Sequence, residues 1–109
     1  MRPFKYPKSA YIAARSLLQY NKEVPNKIIK IIKKDSSYTA SFINRLIVYK
    51  KKIPKNLWNK FKQYMKHDPK YSRETFYTRL VFGAMQKHYN EQQIKDVLKI
   101  NPEFIEYFM

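Results

Sequence analysis

The chain contains no cysteine. Disulfides, thiolate zinc sites, iron–sulfur clusters and cysteine nucleophiles are therefore excluded. A single glycine, Gly83, occurs among 109 residues. Sheet proteins of this length need many tight turns, usually built on Gly or Asn-Gly, so the scarcity of glycine points to helix. No apolar run approaches the ~18 residues that a membrane-spanning helix needs. Histidine is limited to His67 and His88, and no His/Asp/Glu group has metal-ligand spacing. His67 beside Asp68 reads as a local capping pair. There is no glycine-rich phosphate loop, and the 8 acids are too scattered for a two-metal nuclease site. Nothing singles out one of the ten tyrosines as a nucleophile. The expectation is a protein without catalytic residues, metal or cofactor.

What the chain does have is positive charge and enough apolar residues to fold. Apolar content is 44%, which argues against disorder despite a formal net charge of +15. One domain over residues 1–109 is expected. The charge is sharply partitioned. Residues 1–72 hold 18 Lys and Arg against Glu23, Asp35 and Asp68, whereas residues 73–109 hold five of each sign. Lys, Asn, Ile, Tyr and Phe are all heavily used, as low-GC codons favour, but codon bias would not produce so sharp a division. Clustered like charge destabilises a compact fold through self-repulsion, and a fixed anionic partner offsets that. Solubility alone is served by a net charge of roughly 2–8.

Periodicity gives an all-α protein of six to seven short helices. Residues 1–8 read as a basic extended arm broken by Pro3 and Pro7. Helix follows over 9–20, with Ser9 as N-cap and Ile12, Ala13, Leu17 and Leu18 as the apolar stripe. A second helix, 25–34, starts at Pro25 in the first helical position. Its Ile28, Ile29, Ile31 and Ile32 oppose a basic face. A third, 37–51, follows the cap residues Asp35, Ser36 and Ser37. Phe42, Ile43, Leu46, Ile47 and Tyr49 cover most of its circumference, so it is expected to be central. The fourth, 54–67, sets Leu57, Trp58, Phe61, Tyr64 and Met65 against Lys55, Asn59, Lys62 and Lys66. Asp68-Pro69 ends it. A fifth, 73–88, is the most apolar, and its Gly83 suggests close approach of a neighbour. Asn90 to Gln93 resembles a capping box before a sixth helix ending near Lys99. Pro102 opens a last short helix to the C-terminus.

Two stretches match at an offset of 29. Leu17, Leu18, Tyr20, Val24, Pro25, Ile28, Ile29 and Ile32 fall on Leu46, Ile47, Tyr49, Ile53, Pro54, Leu57, Trp58 and Phe61. The expected architecture is stacked helical hairpins. Two copies are clear; a third and weaker one would set Glu91 where the proline stands and use Ile94 and Leu98. Residues 9–72 would form the basic hairpins and 73–109 a charge-neutral helical cap. Residues 92–108 partly fit a helix-turn-helix, but the would-be reading helix carries Glu103 and Glu106 and no basic residue, and glutamates repel phosphates.

The basic clusters are the candidate site: Arg2, Lys5 and Lys8 in the arm; Lys27, Lys30, Lys33 and Lys34; Lys50, Lys51, Lys52 and Lys55; Lys62 and Lys66. Lysine outnumbers arginine 18 to 5. Lysine is a hydrated point charge suited to phosphates without fixed geometry, whereas arginine suits bidentate reading of guanine edges. Backbone-dominated binding of RNA or DNA with weak sequence choice follows, RNA slightly favoured. Phe4 and Tyr6 are the candidate base-stacking residues, and most other aromatics, Trp58 included, are expected in the core. Residues 73–109 would be free to dock a protein. The alternative is an interaction module, an inhibitor or accessory subunit, binding an acidic protein surface by electrostatic steering. Membrane binding is disfavoured because the apolar helix faces are needed for the core. The expected location is a reducing intracellular compartment, the cytoplasm first, rather than outside the cell. The acid-free stretch 1–22 leaves the mitochondrial matrix open.

Overall fold

The computed structural model describes residues 6–67 and 91–103. The expected fifth helix with Gly83, and the arm residues Arg2, Phe4 and Lys5, lie outside the described residues. The fold is all-α, with no strand among the described residues, which hold five helices: α1 (Pro7–Gln19), α2 (Asn26–Ile32), α3 (Ser36–Val48), α4 (Lys55–His67) and α5 (Glu91–Ile100). The radius of gyration is 13.7 Å, close to the ~13 Å of a folded chain of 100 residues.

Helix ends differ from the periodicity reading for identifiable reasons. Helix α1 begins at Pro7, two residues earlier than expected, so Pro7 and Lys8 belong to the helix and not to an extended arm. Proline is well tolerated there because the first-turn amides have no intrahelical acceptor. Ser9 is not the N-cap. Tyr6 is, in extended conformation, and the Ser9 hydroxyl instead donates to the Tyr6 carbonyl at 3.0 Å. Pro25 is itself the N-cap of α2, with ψ 149, rather than its first helical residue. Asp35 caps α3, its carboxylate accepting from the Tyr38 amide at 2.8 Å.

Helices α1 and α3 end in the same way. Asn21 has φ 56 and Lys50 has φ 58, both in the left-handed region. The Lys22 amide donates to the Leu17 carbonyl and the Lys51 amide to the Leu46 carbonyl, both at 2.8 Å. The Asn21 and Lys50 amides donate to the Leu18 and Ile47 carbonyls at 2.9 and 3.0 Å. These are paired Schellman terminations, 29 residues apart. The second stops α3 at Val48, three residues short of the expected Lys51, and puts Tyr49 outside the helix.

Helix α1 packs on α2 and α3, and α3 packs on α4 and α2. The core takes Ala10, Ala14 and Leu18 from α1, and Ile28, Ile29 and Ile32 from α2. Helix α3 adds Phe42, Ile43, Leu46 and Ile47, and α4 adds Leu57, Trp58 and Phe61. Burying Phe42 and Phe61 contributes about 1.5–3 kcal/mol each. Helix α3 is central, as its composition suggested, and Trp58 is in the core. Ile12 is not: it is 54% exposed. The buried face of α1 runs through Ala10, Ala14 and Leu18, four residues apart, and Ile12 lies on the opposite side of the helix. Positions 29 apart share a burial pattern, Ile28, Ile29 and Ile32 matching Leu57, Trp58 and Phe61. In α5 the buried apolar residue is Val97, while Ile94 and Leu98 are half-buried.

Candidate nucleic-acid interface

The loops joining α1 to α2 and α3 to α4 lie side by side. Lys51 Nζ donates to Asn21 Oδ1 at 2.8 Å, linking the two Schellman corners directly. The second loop is held from its other side by Asn101, which is 1% exposed. Its Oδ1 accepts from the Ile53 amide at 2.8 Å and its Nδ2 donates to the Lys51 carbonyl at 3.1 Å. Asn101 thus satisfies a buried amide that no helix can pair. Lys52 Nζ donates to the Ile100 carbonyl at 3.3 Å, setting a cation against the C-terminal end of α5. One edge of the molecule therefore runs from the first loop, through the second, to the end of α5.

A cleft of about 760 Å³ opens between the two loops. Asn21, Lys22, Glu23, Asn26, Lys51 and Lys52 supply its polar lining, and Val24, Pro25, Pro54, Phe42 and Leu46 its apolar lining.

The sequence candidates fall into four groups. Lys27 and Lys30 are exposed on α2, Lys33 is half-buried at its C-cap, and Lys34 is exposed in the turn just beyond. Lys50 and Lys52 are exposed on the second loop and Lys51 is half-buried there. Lys55, Lys62 and Lys66 are exposed along α4. Lys8 is exposed on α1 and Tyr6 is 63% exposed at its start. Lys51 and Lys52 each give one donor to the fold and keep two, since an ammonium has three. The ion pair found among the described residues, Lys95 with Glu91 at 3.4 Å, lies in the charge-neutral segment. None of the lysines of α2, the second loop or α4 is paired with a carboxylate among the described residues.

Helix α4 is tied to α2 through Tyr64, whose hydroxyl donates to the Lys33 carbonyl. Burial, and secondarily the Asp35 carboxylate, push this phenol above its ordinary pKa. Lys60 Nζ sits 5.0 Å from the Tyr64 ring centroid. On the α1–α3 side, Arg45 Nε donates to the Tyr11 hydroxyl at 3.4 Å, and the Arg15 guanidinium lies 5.8 Å from the Tyr11 ring centroid. These two arginines are engaged with the protein's own aromatics.

Sequence reasoning missed several residues of this edge. Lys22 is exposed at the position 29 before Lys51, so the repeat offset itself would have found it. Tyr20 is 71% exposed and Tyr49 37% exposed, each as the C-cap residue of its helix. Tyr49 was expected on an apolar helix surface, and the early Schellman stop removes it. Asn101 carries no local pattern that marks it, because its partners are about 50 residues away in sequence.

Among the described residues no three His, Asp or Glu side chains are grouped as a metal site would require. Nor, among them, is any helix long and apolar enough to cross a membrane. The chain matches no family profile, no curated protein and no solved structure.

Proposed function

We propose that this protein binds RNA or DNA through the phosphate backbone and performs no chemistry on it. The observation that carries the reading is the mostly exposed lysine set on α2, the second loop and α4, which no carboxylate of the described residues pairs, in a chain whose whole net charge resides in residues 1–72. Such a surface attracts a polyanion and releases its counterions on binding. Lysine in place of arginine makes the contacts tolerant of sequence.

The arrangement of that surface is part of the proposal. Helices α1–α2 and α3–α4 are taken as two hairpins stacked in parallel, with α1 and α3 in one layer and α2 and α4 in the other. The equal Schellman corners, the Asn21–Lys51 bond and the Tyr64–Lys33 bond support this stacking. The lysines of α2 and α4 then share one outward layer, and the loop lysines continue it around the edge. A third hairpin ending in α5 would complete the stack, although α5 buries Val97 where the repeat register favours Ile94 and Leu98. Arg2, Lys5, Phe4 and Tyr6 would extend the contact, and residues 73–109 could dock a neighbouring protein. RNA is slightly favoured as the ligand. A ribonucleoprotein component or a small DNA-binding factor would have this character.

The test is fluorescence anisotropy with duplex DNA, duplex RNA and single-stranded RNA. The variants are Lys27→Ala/Lys30→Ala, Lys62→Ala/Lys66→Ala, and Lys95→Ala/Lys99→Ala from the neutral segment. The first two pairs are expected to weaken binding and flatten its salt dependence, by about 0.7–0.9 in log–log slope per lysine removed. The third pair is expected to do neither. Equal effects from all three pairs would contradict a defined interface. Strong capture of an acidic protein with no nucleic-acid affinity would favour the interaction-module alternative.

A further inference from the structure

Two tyrosines at equivalent positions are left outside the core. Tyr20 and Tyr49 each cap the C-terminus of a helix, lie 29 residues apart and are the last residues before a left-handed corner. Tyr20 is 71% exposed, and Tyr49, at 37%, keeps about a third of its surface open to solvent. Neither ring is stacked on another aromatic among the described residues. Each is followed at once by polar and basic residues: Asn21 and Lys22 after the first, Lys50, Lys51 and Lys52 after the second. Asn21 and Lys51, which hold the two corners together, both line the cleft between the loops.

We infer that this edge binds single-stranded nucleic acid, each hairpin offering one tyrosine ring to one base and the adjoining loop lysines to the flanking phosphates. The inference rests on the proposed nucleic-acid reading and specifies its ligand. Exposed rings beside a basic groove are the general means by which proteins hold unpaired strands, because every base has a π face. The Lys51–Asn21 bond holds the two corners together, and each corner directly follows one of the tyrosines. Bases of an unpaired strand are free to turn out onto exposed rings, whereas those of a duplex are closed in its stack. The lysines of α2 and α4 contact phosphates of either kind of ligand, so the tyrosines alone carry the preference for a single strand.

The experiment compares full-length wild type with Tyr20→Leu, Tyr49→Leu and the double variant, with Tyr20→Phe/Tyr49→Phe as rescue. Three probes are used: a short oligouridylate, the same sugar–phosphate strand without bases, and duplex DNA. Wild type is expected to prefer the based strand over the abasic one. Each leucine substitution is expected to weaken the based strand about tenfold, with the abasic strand and the duplex unchanged and the phenylalanine pair behaving as wild type. Circular dichroism confirms the fold, which surface substitutions should preserve. Equal affinity for based and abasic strands, or leucine variants that bind oligouridylate as wild type does, overturns the inference while leaving phosphate binding intact. Failure of wild type to bind any of the three probes overturns the proposed function as well.

Discussion

Lys50 occupies a left-handed corner, φ 58, where glycine is the unstrained choice. A non-glycine residue there costs about 1 kcal/mol. Replacing it with glycine should therefore raise stability by up to about 1 kcal/mol in urea unfolding. The same change should weaken binding to a polyanion by removing one contact. A variant that gains stability and keeps full affinity would show that Lys50 takes no part in binding. Asn101 makes the opposite case. Asn101→Ala leaves the Ile53 amide buried and unpaired, for a loss of about 1–3 kcal/mol. Tyr64 adds a pH signature. Its raised pKa means that the fold favours the neutral phenol, so its contribution is complete below pH 10 and is lost as pH rises through the higher folded value. Tyr64→Phe should cost about 1 kcal/mol at neutral pH. Its difference from wild type should shrink above pH 10, as followed by denaturant titration at several pH values.

At the scale of elements, α3 depends on its first turn, where Asp35 pairs with the Tyr38 amide and Thr39 Oγ1 donates to the Ile32 carbonyl at 3.1 Å. Asp35→Ala should cost about 1 kcal/mol by loss of the cap. Removing that carboxylate also removes one cause of the raised Tyr64 pKa, so the tyrosine should titrate lower by ultraviolet absorbance. Much of this level was legible in the sequence. The apolar spacing of Leu57, Trp58 and Phe61 fixes the buried face of α4, and the offset of 29 anticipates that Ile28, Ile29 and Ile32 share it. Helix ends were less legible, because a Schellman corner depends on one residue adopting positive φ, and neither Asn21 nor Lys50 is the glycine that usually announces it. Ile12 was misplaced because periodicity ranks side chains by hydrophobicity, whereas the buried face of α1 runs through the smaller Ala10 and Ala14. Of the proposed interface, the lysines could be read from charge alone. Tyr20, Tyr49 and Asn101 could not, since their positions depend on where two helices end and on loops distant in sequence being held together.

For the whole molecule, the charge partition sets a balance. Residues 1–72 carry the entire net charge of +15 and repel one another, and the Asn21–Lys51, Lys52–Ile100 and Asn101 bonds hold two of the basic segments in place against that repulsion. Added salt, by screening the repulsion, should stabilise the free protein, and should do so more than a typical neutral domain. Salt should act in the reverse sense on the complex. The central claim is therefore tested most directly by the salt dependence of RNA binding by the full chain. The account predicts sub-micromolar affinity near physiological salt and a log–log slope of about −3 or steeper, as expected for four or more phosphates neutralised on a single strand. Binding weaker than about 10⁻⁴ M, or a slope near zero, would contradict it.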